Sequence, residues 1–75
     1  MNNKRHMLEA DAFLGEVFSR ELAASVGDGS HKKLEIISVI FPYGVRATYR
    51  VTSHKEIVKE TDRWLEAVEA YNAEP

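Results

Sequence analysis

Leu34-Glu35-Ile36-Ile37-Ser38-Val39-Ile40-Phe41-Pro42-Tyr43-Gly44-Val45-Arg46-Ala47-Thr48-Tyr49-Arg50-Val51 is the stretch on which the fold turns. Two runs rich in β-branched and aromatic residues flank a Pro-Tyr-Gly break, the composition of two strands joined by a tight turn. The reading is strands over 33–41 and 45–52. Pro pre-sets φ at the first loop position and Gly supplies φ > 0 at the last, which favours a three-residue loop closing in a bulge. That loop would set Phe41 opposite Val45, Val39 opposite Ala47 and Ile37 opposite Tyr49. A two-residue loop would shift the first strand by one position and exchange its two faces.

The second strand alternates cleanly, with Val45, Ala47, Tyr49 and Val51 on one side and Arg46, Thr48, Arg50 and Thr52 on the other. The first strand does not: Ile37, Val39 and Phe41 share one face, and Leu34, Ile36 and Ile40 share the other. One apolar set is therefore left on the side away from any covering helix. An exposed edge of this composition invites association. A second copy paired antiparallel through strand 33–41 would cover it and build a four-stranded sheet across a two-fold axis.

Outward from the hairpin, Met7, Ala10, Leu14, Val17, Phe18 and Leu22 recur at three- and four-residue steps, which predicts a helix over about 6–26 ending at Gly27. Gly15 inside it would cost up to ~1 kcal/mol relative to Ala, unless close packing on the hairpin required it. On the other side, Ser53-His54-Lys55-Glu56 has the form of a capping box. It would open a second helix to about Asn72, with Ile57, Thr61, Trp64, Leu65, Val68 and Tyr71 on one face. The expectation is one α+β domain over residues 1–75, in the order αββα, with two helices packed on an antiparallel hairpin.

Seventy-five residues lie near the lower limit for a self-sufficient core, where a partner subunit often completes the fold. The chain has no cysteine, which excludes disulfides and thiolate metal sites and fits a reducing compartment. The polar opening Met1-Asn2-Asn3-Lys4-Arg5-His6 lacks the apolar core of a signal peptide, and no apolar run approaches the ~20 residues of a membrane span. The expected location is the cytoplasm, away from membranes.

The net charge of −2 hides a segregation. Lys32, Lys33, Arg46, Arg50 and Lys55 stand against Glu35 alone in the middle of the chain. From residue 56 onward Glu56, Glu60, Asp62, Glu66, Glu69 and Glu74 outnumber Lys59 and Arg63. A basic hairpin can lie along phosphates or enter a groove, and an acidic helix can dock on a basic partner. Binders of nucleic acid usually carry a basic excess over the whole domain, whereas this chain has a pI near 5.9. Tyr43 at the turn tip has the character of an interface anchor.

Motifs of catalysis are missing: no phosphate-cradling glycine loop and no Gly-x-Ser-x-Gly elbow occur. His31 and His54 could meet Asp28 near one end of the hairpin, yet no ligand pair stands at helical spacing. The expectation is therefore a protein without catalytic residues, metal or cofactor, acting by docking on a macromolecular partner. Tyr43, Arg46, Arg50, Lys32, Lys33, Glu60 and Glu66 are its candidate contacts, and a protein is the first choice of partner. Small inhibitors encoded by phages and mobile elements against host complexes, anti-CRISPR proteins included, have this size and architecture. The alternative is a nucleic-acid-binding accessory protein using the same basic hairpin.

Overall fold

The computed structural model describes residues 8–75. The polar opening and the first residues of the expected N-terminal helix lie outside the described residues. The central stretch forms the hairpin it predicts: β2 (Ser30–Phe41) and β3 (Gly44–Ser53) run antiparallel without interruption. The register is that of the shorter loop, with Phe41 opposite Gly44, Ile40 opposite Val45 and Ile36 opposite Tyr49. Pro42 and Tyr43 are the whole loop, and Gly44, at φ +142°, already belongs to β3. The pairing is thus one residue away from the three-residue reading, and the faces of β2 exchange as that shift requires.

Two strands replace the expected helical flanks. β1 (Val17–Gly27) pairs antiparallel with β2, and β4 (Glu56–Thr61) pairs antiparallel with β3. The sheet order is β1-β2-β3-β4, an antiparallel meander. Asp28 and Gly29 join β1 to β2 with φ of 51° and 80°. Two successive left-handed residues match the right-handed twist of the strands and favour Asp-Gly strongly. The helix expected over 6–26 is corrected accordingly. Gly15 serves a turn rather than a helix: its φ is +78°, nothing crowds it, and its N–H donates to the Ile40 carbonyl at 2.9 Å.

The second expected helix begins ten residues late. Ser53 ends β3, His54 and Lys55 form a turn with φ of 50° and 71°, and the helix α1 (Trp64–Ala73) starts only after β4. Ser53 therefore caps no helix; its Oγ lies 3.2 Å from His54 Nδ1. Helix α1 is anchored at its start by Thr61, whose Oγ1 accepts from the Arg63 N–H and donates to Glu66 Oε1, both at 3.1 Å.

The register fixes which side chains meet the helix. Even-numbered residues of β2 and odd-numbered residues of β3 face α1, so Leu34 and Val51 lie opposite each other beneath Ala67. These three are the buried apolar core, with Ala23, Tyr49, Ala70 and Tyr71 packed around them. The Trp64 ring meets Tyr49 edge-on at 5.2 Å. Of the two apolar sets of β2, Leu34, Ile36 and Ile40 face the helix side, and Ile37, Val39 and Phe41 face away.

A twelve-residue β2 extends ~40 Å, whereas a ten-residue helix covers ~15 Å. The molecule is correspondingly long, 58 × 24 × 17 Å, with a radius of gyration of 16.8 Å. A compact domain of this length would have about 11 Å. Because β2 is paired on both edges, it offers no edge for a two-fold mate, and the expected association through strand 33–41 has no free backbone to use. The chain supplies its own four-stranded sheet.

Candidate functional site

The sheet face opposite α1 carries no second layer among the described residues. Its register brings together Glu21 of β1, Lys33 and Glu35 of β2, Arg50 and Thr52 of β3, and Ile57 of β4. With His31, Ala24 and Lys55 they line an open concavity of about 580 Å³. Toward the distal end, Arg46, Thr48 and Glu60 border a second hollow of about 420 Å³.

Charges of both signs alternate across this face. Arg50 stands opposite Glu35 on one side and Glu60 on the other. It chooses Glu60, with Nε and Nη2 each 2.9 Å from Oε2. Glu21 and Glu35 lie directly opposite each other, a like-charge rung that costs stability in a sheet. Neither of them, nor Lys33, forms an ion pair among the described residues. At the tip Tyr43 is 82% exposed and stacks on Phe41 at 5.5 Å, and the Arg46 guanidinium lies 5.7 Å from the Phe41 ring centre. Tyr43 is thus both exposed and supported from behind.

The candidate contact residues separate into two groups. Tyr43, Lys33, Arg46, Arg50 and Glu60 gather on the open face. Lys32 also borders the concavity, but its ammonium, like the Glu66 carboxylate, is held on the helix side. Lys32 Nζ donates to the carbonyls of Tyr71 and Glu74, each at 2.9 Å, and sits 4.3 Å above the Tyr71 ring. A cation at a helix C-terminus opposes the negative end of its dipole and satisfies orphan carbonyls. Lys32 holds the helix down. Glu66 is tied to Thr61 and lies 3.7 Å from Lys59 and 3.8 Å from Arg63.

The expected acidic helix face is also redistributed. Glu56 and Glu60 belong to β4 and Asp62 to the connection, leaving Glu66 and Glu69 on α1. Glu21, Ala24, Lys55 and Ile57 line the concavity although the helical readings gave them other places. Knowing that Asp28-Gly29 is a hairpin turn would have put Ala24 there; Glu21 reaches the same face only because the bulge at Leu22 reverses the alternation.

At the proximal end the turns bring His31 and His54 together, with ring centres 6.2 Å apart and the His54 N–H donating to the His31 carbonyl at 2.7 Å. No third His, Cys, Asp or Glu joins them in a metal-holding group among the described residues. No helix among them is long and apolar enough to cross a membrane. No protein-family model, curated protein or solved structure matches the chain.

Proposed function

We propose that this chain is a non-enzymatic interaction module that docks on a protein partner through the open face of its sheet and the Tyr43 tip. The observation that carries the reading is the composition of that face: Lys33, Arg46, Arg50 and Lys55 are interleaved with Glu21, Glu35 and Glu60 around the apolar Ala24 and Ile57. Nucleic-acid phosphates are held by an excess of Lys and Arg. Here the excess is offset by carboxylates on the same surface. Mixed charge of this kind gives specificity for a protein of complementary pattern, and an exposed, backed tyrosine is an inexpensive anchor to order.

The reading as a non-enzyme draws on the nearest approach to a nucleophile and base, Ser53 with His54. Ser53 is 7% exposed, closed off from a substrate by its neighbours. Docking of this type is also how small inhibitors of the phage and mobile-element kind act, anti-CRISPR proteins included; the extension to that class rests on size alone.

The test is fluorescence anisotropy with labelled duplex and single-stranded oligonucleotides at low and near-physiological salt, paired with capture of proteins from host lysate. The expected result is no oligonucleotide binding, and a captured protein that is lost when Arg46→Glu and Arg50→Glu are introduced together. Micromolar oligonucleotide binding that collapses with salt would replace this reading with a nucleic-acid-binding accessory protein on the same face.

A further inference from the structure

We propose that His31 and His54 form a two-imidazole site for a late first-row transition-metal ion such as Zn2+ or Cu2+. The site lies at the opposite end of the sheet from the Tyr43 tip and does not depend on the docking reading.

The fold brings the two rings together from different elements. His31 is the second residue of β2, and His54 opens the turn between β3 and β4. The His54 N–H donates to the His31 carbonyl at 2.7 Å, so the two backbones are fixed to each other where the side chains leave them. The ring centres lie 6.2 Å apart, with the planes tilted by 34°. With metal–nitrogen bonds of about 2 Å, two imidazoles on one tetrahedral ion have ring centres about 5 Å apart. The pair must therefore close by about 1 Å. Side-chain rotation supplies that movement, because both residues are exposed.

Two further features prepare His54 for this role. Its Nδ1 lies 3.2 Å from the Ser53 hydroxyl, and Ser53 is buried. A ligating histidine keeps a hydrogen-bond partner at its other ring nitrogen, which fixes the orientation of the ring. The hydroxyl takes that position at Nδ1 and leaves Nε2 for the ion. His54 also stands at φ 50° and Lys55 at 71°, in a turn that Asn-Gly would fill without strain. Strained backbone of this kind gathers at ligand sites, and here it sets one imidazole beside the other.

The donor set selects the ion. No carboxylate joins the two rings among the described residues, and the chain has no cysteine. Two imidazoles suit Zn2+, Ni2+ and Cu2+, whereas Ca2+ and Mg2+ require oxygen ligands. The remaining coordination positions face solvent and fall to water. Lys33 and Lys55 border the concavity together with His31. Their exposed ammonium groups are screened by water, which holds the affinity in the micromolar range rather than abolishing it.

Calorimetric titration of the full chain with Zn2+ should show one equivalent bound with a micromolar Kd. His54→Asn removes the imidazole but tolerates the left-handed backbone, and His31→Ala changes an exposed side chain. Each should weaken binding on the order of 100-fold, because neither ring then holds the ion in reach of the other. His6→Ala should leave the affinity unchanged. In NMR spectra, substoichiometric Cu2+ should broaden the His31 and His54 ring signals together. An absence of Zn2+ binding up to millimolar concentration overturns the inference. Binding that survives His31→Ala or His54→Asn overturns it too, as does broadening of only one of the two rings.

Discussion

The two halves of this molecule are made from the same strands but live under different rules. In the proximal half the Leu34–Val51 rung is sealed by Ala67, and the sheet has a dry side. In the distal half the Ile40–Val45 rung has equally apolar side chains, yet Val45 is 66% exposed. Strand composition therefore does not decide where the core is. The position and length of one short helix do. The helix stays where it is because both of its ends are tied, by Thr61 at the start and by Lys32 at the finish.

The largest effect should come from the sealed half. Leu34→Ala removes a side chain that is 3% exposed and should destabilise the fold by about 3 kcal/mol, read from urea unfolding. A loss below ~1 kcal/mol would mean that the proximal half is no better packed than the distal one, and the contrast between them would fail. Lys32→Met keeps the apolar stem but removes the ammonium from the Tyr71 and Glu74 carbonyls. It should cost about 2 kcal/mol, with hydrogen exchange rising at the end of α1 before the sheet amides respond. If all amides speed up together, the helix and sheet are one cooperative unit and Lys32 is not a local clamp.

The contrast also explains what could be read in advance. The unbroken hairpin of β2 and β3 was legible because period-two alternation runs through Val45 to Val51 without a fault. Its register was not, because Pro42-Tyr43-Gly44 is compatible with two loop lengths and only Gly44 joining the ladder separates them. β1 and β4 were read as helix in part because each carries a bulge; for β4 the capping-box form of Ser53–Glu56 pointed the same way. Leu22 is the extra residue between Glu21 and Ala23, and Val58 is the extra one between Ile57 and Lys59. An extra residue breaks alternation and leaves apolar spacings that imitate a helical period. Both bulges lie on the sheet's outer strands, where such irregularities blunt unwanted pairing. The candidate contacts were legible as residue types, but their division into open-face and helix-side groups depended on those outer strands.

His54-Lys55 was the hardest turn to foresee, because neither residue is Gly or Asn, and both take the left-handed conformation. An L-residue there costs roughly 1–2 kcal/mol. Replacing the pair by Asn-Gly should recover about 1 kcal/mol after the added freedom of Gly in the unfolded chain is allowed for. The shift of the urea midpoint measures it. No gain would show that the Ser53–His54 contact offsets the strain, and would make that turn part of what holds the proximal end.

The smallest effect should come from the open face. Arg50 and Glu60 are 35% and 49% exposed, so water screens their attraction and their side-chain ordering offsets much of it. Glu60→Gln should change stability by less than about 0.5 kcal/mol, and that difference should vanish at ~1 M salt. The same substitution frees the Arg50 guanidinium, which then stands opposite Glu35 alone. Partner capture is the sharper readout for that reason. A variant as stable as the parent that captures its partner less well assigns the pair to recognition; one that loses several kcal/mol would show this face to be part of the scaffold, and the two faces of the sheet would no longer divide between folding and docking.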